Sequence, residues 1–200
     1  MDLIVCEDTR RSKGLLRHYG IAKPLTPLFQ GKEERKSGML VQRLLEGQDI
    51  ALISSAGTPN LSDPGYRLIA GAHERGIPVV TVPGPSAVVS ALSVSGLPTD
   101  RFIFEGFLPA KRAARRKRMS AWKGEGRTIV YYESPHRMVR SLEDLCETLG
   151  NVDIVLAREL TKKFEEVRRE KVKDALKRLR EREPVGEFVV LIRQTSDVSG

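Results

Sequence analysis

The stretch ALISSAGTPNLSDPG, residues 51–65, decides the architecture. It opens on strand-type residues, Ala51, Leu52 and Ile53, and then breaks into a tract crowded with Ser, Gly, Pro, Asn and Asp. A plain connection needs only about two to six residues. A longer loop that leaves a buried strand and enters a helix has the form of a ligand cradle at the carboxyl edge of an α/β sheet. It supplies small side chains, free N–H groups and hydroxyls, which let a ligand approach the main chain closely. VPGPSA, residues 82–87, repeats the design on a smaller scale.

Working outward, apolar runs rich in Val and Ile recur at DLIVC (2–6), DIALIS (49–54), PVVTV (78–82), TIVYY (128–132), DIVLA (153–157) and EFVVLI (187–192). Helical spacing separates most of them, with apolar faces carried by Leu15, Leu16 and Tyr19, by Leu40, Leu44 and Leu45, and by Met138, Leu142 and Leu145. The alternation predicts an α/β fold. Strands that are continuously apolar, rather than alternating, point to sheets covered on both faces and to largely parallel pairing. Asp63 is expected to cap a helix that opens at Pro64 and ends at Gly76. A strand is expected to end at Val82, with Gly84 turning the chain into a short helix that Pro85 opens and Gly96 closes. The pattern pauses at LPTDRFIFEGFLP, which reads as a crossing near residues 97–110 between two α/β subdomains, residues 1–99 and 100–200.

The 200 residues, 40% hydrophobic and 30% charged, lie in the globular range. No apolar run approaches the ~20 residues of a membrane span, and no secretory leader opens the chain, so a cytoplasmic location is expected. Cys6 and Cys146 lack ligand spacing and are expected as reduced thiols. A formal net charge of +8 favours a polyanionic partner such as RNA. The densest cations are KRAARRKR (111–118), which is either a solvated helix or a phosphate-contacting one. Neither a Walker loop nor a GxGxxG fingerprint is present, which disfavours nucleotide phosphate binding. There is no GxSxG elbow, and His18, His73 and His136 form no pairing that suggests a triad or a metal, so none is expected.

CEDTRRS (6–12), AGTPNLSDPGY (56–66), VPGPSA (82–87), GLPTDRFIFEGFLP (96–109), YESPHR (132–137) and LARELTKKFEE (156–166) occur in that order. Together they resemble the RsmI-type ribosomal small-subunit RNA 2′-O-methyltransferases of the tetrapyrrole (corrin/porphyrin) methylase superfamily. The resemblance runs over nearly the whole chain. It implies a class III S-adenosylmethionine methyltransferase with its cofactor in a cleft between two α/β subdomains, working as a homodimer on small-subunit rRNA or the assembled small ribosomal subunit. The implied substrate is a ribose, taken to be a cytidine's. By that similarity Gly57, Thr58 and Leu61 of the first loop, Ser86 and Ala87 of the second, and Glu133, Ala157, Gly186 and Glu187 farther on would contact the cofactor. Lys111, Arg112, Arg115, Arg116, Lys117 and Arg118 would contact RNA phosphates.

A methyl sulfonium is already activated, so such an enzyme must chiefly exclude water and align the acceptor oxygen. A ribose hydroxyl is a poor nucleophile, so a base or hydrogen-bond acceptor near it would help. Glu7 and Arg10 follow one strand end and Glu133 with His136 another, which makes these four the catalytic candidates. EDTR has a second reading, a helix start capped by Asp8 or Thr9 with Arg10 in an ion pair. Members of the family begin with a further strand and a GTPIGNL-type loop before the segment that opens here, so the cofactor site is expected to be recognisable but short of one wall. Two other readings stay open, a methylase for a tetrapyrrole-type small molecule and a non-catalytic RNA-binding form.

Overall fold

The computed structural model describes residues 1–29 and 33–194. It contains two compact units, Met1–Ser86 and Ala87–Gly200. The division falls after Ser86 rather than near residue 99, because the helix Ala87–Val94 buries Val88, Ala91 and Leu92 against Val130, Val155, Ala157, Val189 and Leu191 of the second unit.

In the first unit, β1 (Leu3–Cys6) leads through α1 (Thr9–His18) to β2 (Leu25–Pro27), and α2 (Glu33–Leu45) leads to β3 (Ile50–Ile53). The order is β2-β1-β3 and every pairing is parallel, with Cys6 opposite Ile53 on one side and Pro27 on the other. β1 is the central strand, and all four of its residues are buried. Leu40 and Val41 of α2 and Leu68 of α3 (Tyr66–His73) close the core over Leu3 and Val5. The expected strand at 78–82 does not form. Those residues pair with no strand among the described residues, and Val80 and Val82 are 83% and 86% exposed. An apolar run is necessary for a central strand but does not supply the neighbour that pairs with it.

The second unit begins with α4 (Ala87–Val94) and continues through β4 (Phe102–Phe107), α5 (Arg112–Ser120), β5 (Thr128–Glu133), α6 (Pro135–Leu149), β6 (Asp153–Arg158), β7 (Glu166–Lys171), α7 (Val172–Glu181) and β8 (Phe188–Ile192). Its order is β4-β5-β8-β6-β7. Only β4 and β5 are parallel; β8 runs antiparallel between β5 and β6, and β6 and β7 form an antiparallel pair. Largely parallel pairing therefore holds for the first sheet and fails for the second. The continuous apolar run FVVLI of β8, buried at every position, reports cover on both faces and carries no information about direction. One face packs under α4; the other meets α6 and α7 through Met138, Leu142, Leu145, Leu176 and Leu179. Among the described residues, no helix is long and apolar enough to cross a membrane. Cys6 is buried and Cys146 half-buried, and both are free thiols.

Candidate functional site

Each unit gathers its chemistry at the carboxyl ends of its parallel strands. In the first, β1 ends at Cys6 and delivers Glu7, half-buried, followed by Asp8. Asp8 is the N-cap of α1, its carboxylate accepting from the amides of Arg10 at 2.8 Å and Arg11 at 3.3 Å. Those bonds to the charged form hold Asp8 below the ordinary aspartate range. The capping reading of EDTR is thus realised, although the ion-pair partner of Asp8 is Arg11 at 4.0 Å and the Arg10 side chain is exposed.

From β3 the chain enters the long loop. Ser54 donates its hydroxyl to the carbonyls of Ala56 and Gly57, both at 2.9 Å, which folds the loop back on itself. Gly57 takes φ +75°, and a Cβ there would lie 3.4 Å from the Pro85 carbonyl. Thr58 donates its hydroxyl to that same carbonyl at 2.9 Å. The two Gly- and Pro-bearing loops therefore meet at the Pro85 carbonyl. Ser86 follows with a buried hydroxyl that no hydrogen-bonding partner meets, while Leu61 and Ala87 are exposed.

Asp63 does not cap a helix. Gly65 occupies the N-cap of α3, with no side-chain bond to the helix end. The Asp63 carboxyl is instead half-buried and within electrostatic reach of Glu7. Burial, with the charge of Glu7 adding to it, raises Asp63 above the ordinary aspartate value. The position of Asp63 before Pro64 predicts a helix cap, whereas the path of the loop brings it within reach of the Glu7 charge.

In the second unit Glu133 closes β5, its side chain fully buried. Its Oε1 accepts from the Ser134 amide at 3.0 Å and pairs with Arg137 Nε at 3.2 Å, and its Oε2 has no partner. Arg137 in turn donates from Nη2 to the carbonyls of Leu108 at 2.6 Å and Pro109 at 3.3 Å. Arg115 of α5 reaches the same turn from the other side, Nη1 donating to Pro109 at 3.3 Å and Ala110 at 3.1 Å. Two guanidiniums thus hold consecutive carbonyls of the turn between β4 and α5, each anchored on a buried carboxylate. His136 is exposed, away from these bonds.

The anchor of Arg115 is Asp144 of α6, 1% exposed, which pairs with Arg115 Nη2 at 2.5 Å and with Arg112 Nε at 2.8 Å. This corrects the expectation that Arg115 contacts RNA: it is 4% exposed and fully engaged. Arg112 and Arg116 also bind Glu147, and Arg118 binds Glu105 at 2.5 Å. Within the basic run, Lys111 and Lys117 are the two cations without an ion pair among the described residues, and both are exposed.

The profile of the tetrapyrrole (corrin/porphyrin) methylases matches residues 1–176, most of the chain. The chain belongs to this family. Among curated relatives it is similar to proteins named ribosomal RNA small subunit methyltransferase I. The Pseudomonas aeruginosa protein is 51% identical over 83% of this chain and 59% of its own length. The Escherichia coli O157:H7 protein is 47% identical over 96% and 68%, and the Thermotoga maritima protein 42% identical over 96% and 86%. The chain therefore spans little more than half of the Pseudomonas relative and most of the Thermotoga one. Diphthine synthase superposes with a TM-score of 0.72 at 14% identity, covering 97% of this chain and 80% of that one. The methyltransferase CobJ superposes with a TM-score of 0.64 at 17% identity, covering 99% and 96%. Both likenesses show the tetrapyrrole methylase fold.

Three further positions singled out by the family resemblance lie around the β6–β7 turn. Ala157 is wholly buried in β6, opposite Val189. Gly186 takes φ +97°, and a Cβ there would come within 2.6 Å of Glu159 Cγ. Glu187 donates its amide to Glu159 at 2.9 Å and binds Lys162 at 2.9 Å through its carboxylate. These contacts make Gly186 and Glu187 supports of the turn. Arg137 and Asp144 escaped sequence reading, although Glu133 and Arg137 stand four apart, the spacing at which side chains at a helix start meet.

Proposed function

We propose that this tetrapyrrole methylase family member is an S-adenosylmethionine-dependent methyltransferase that modifies a ribose 2′-hydroxyl, a cytidine's, in small-subunit rRNA, and that it acts as a homodimer in the cytoplasm. The single observation that carries this reading is identity of 42–51% to relatives named for methylation of that RNA. The net charge of +8 agrees with a polyanionic substrate.

The residues present fit the cofactor. Gly57 supplies the φ of +75° that the loop takes beside Pro85, a conformation that a side chain would strain, and the buried Ser86 hydroxyl has an unused hydrogen-bonding capacity. Thr58 fixes the two loops together so that neither has to be ordered on binding. S-adenosylmethionine would supply an activated methyl group, and we assign its contacts to Gly57, Thr58, Leu61, Ser86 and Ala87. The chain's own part is to exclude water, to orient the ribose, and to accept hydrogen bonding from the attacking hydroxyl. For that last part we favour Glu7 with Asp63 over Glu133 and His136, because one Glu133 oxygen is committed to Arg137 and His136 faces solvent.

Calorimetric titration with S-adenosylhomocysteine tests the cofactor assignment, and micromolar binding is expected. Incubation with labelled S-adenosylmethionine and purified small ribosomal subunits, followed by nucleoside mass spectrometry, should yield 2′-O-methylcytidine. Methylation of a precorrin in place of the subunit would establish the small-molecule reading. RNA binding without cofactor binding would establish the non-catalytic one.

A further inference from the structure

The turn joining β6 to β7 carries TKKFEE, residues 161–166. Turns favour Gly, Asn, Asp and Ser, yet here Phe164 stands 64% exposed. A solitary exposed apolar residue is ordinary. This one differs in what surrounds it. The Lys163 ammonium lies 5.6 Å from the centre of its ring, so an aromatic plane and a cation are presented together.

The support beneath the ring is tightly bonded. Glu159, at φ 48°, and Thr161, at φ 65°, hold the left-handed region that favours glycine. Lys162 bridges Glu159 at 3.0 Å and Glu187 at 2.9 Å, and Thr161 donates its amide to Glu165. The other carboxylates of the hairpin are also answered: Glu166 by Arg158 and Arg168, and Glu170 by Arg178. Internal pairing leaves Lys163 and Arg169 as the hairpin cations without an ion pair among the described residues. The tip therefore offers an exposed aromatic ring on a firmly bonded turn, with a cation over one of its faces. Single-stranded nucleic acid is recognised by that combination, a base stacking on the ring while a cation meets the adjacent phosphate.

We propose that Phe164 is a stacking platform for an unpaired base of the RNA substrate, with Lys163 on the neighbouring phosphate. The proposal rests on the RNA methyltransferase reading and adds where an unpaired nucleotide is held. It is tested by fluorescence anisotropy with a labelled C-rich single-stranded RNA and a fully paired RNA duplex of equal length. Phe164→Ala should weaken single-strand binding about tenfold and leave duplex binding and the salt slope unchanged. Lys163→Ala should flatten the single-strand salt slope by about 0.7. Phe164→Trp should retain affinity, and its emission should be quenched by the single strand, against the constant background of buried Trp122. Wild-type affinity in Phe164→Ala, or equal losses on both RNAs, overturns the stacking role while leaving the RNA reading intact. Failure of the wild type to bind either RNA overturns both.

Discussion

Asp8 and Asp63 show how differently two carboxylates of one unit are treated. Asp8 accepts two amide bonds, which stabilise its charged form and lower its pKa. Its contribution to stability is present above the ordinary aspartate value of 3.8 and is lost as pH falls through the lowered value. Asp8→Ala should therefore lower the melting temperature at pH 7, and the deficit should shrink in acid. Asp63 has the opposite sign. Desolvation first, then Glu7, favours its neutral form, so its contribution to stability is fully present below 3.8 and is lost as pH rises through the raised value. Carbon-detected NMR titration should place Asp63 above the ordinary aspartate, and Glu7→Gln should bring it part of the way back. A titration unmoved by Glu7→Gln would mean that burial alone raises it. In the second unit the buried pair of Asp144 and Arg115 is asymmetric, because Arg112 also holds Asp144 while Arg115 has no other carboxylate among the described residues. Asp144→Ala, which leaves the Arg115 charge buried, should cost about 3–5 kcal/mol in urea unfolding, and Arg115→Ala less.

At the scale of elements, α5 is less a phosphate-binding stripe than a brace. Its arginines are spent on Asp144, Glu147, Glu105 and the carbonyls that follow β4, which leaves Lys111 and Lys117 for a polyanion. Replacing both lysines by Ala should reduce the slope of log affinity against log salt by about two, as two lost phosphate contacts would. Arg115→Ala should change stability and leave the slope alone; an unchanged slope in the double lysine variant would remove α5 from the RNA surface. The same helix shows where sequence reading succeeds and where it stops. β1, β5, β6 and β8 were legible because burial on both faces demands unbroken Val and Ile, and the half-buried β3 because its short run IALI is apolar throughout. β7, with the sequence EVRREK, was not, because an edge strand keeps one flank in water and can carry charge along its length. The two loops were legible from their Gly, Pro and Ser content, since few other residues permit such a path. The duties of Asp63, Arg137 and Arg115 were not, because a charged side chain acquires its meaning from a partner far away in sequence.

At the scale of the whole molecule, the two units differ in what they bury. The first rests on a small cluster around Leu3, Val5, Leu28, Leu40, Val41 and Leu68. The second encloses Trp122, Ile129, Tyr131, Met138, Leu142, Phe188 and Ile192 on one face of its sheet and a separate cluster under α4 on the other. Apolar burial is the main favourable contribution to folding, so the second unit should be the more stable. The chain offers a clean way to see this, because its one tryptophan is Trp122, 2% exposed in the larger core. In urea, far-UV circular dichroism follows both units, whereas tryptophan emission follows the second alone. The dichroism should begin to fall at lower urea than the emission, with α1, α2 and α3 melting first. Amide exchange should show the same order, β8 slowest and β2 fast. Coincident transitions by both probes would show instead that the units unfold as one cooperative body. If the first unit carries most of the cofactor contacts, the consequence is direct. S-adenosylhomocysteine should shift the dichroism transition to higher urea by mass action and leave the tryptophan midpoint nearly fixed, which separates cofactor binding by the loops around Gly57 and Ser86 from a general stabilisation.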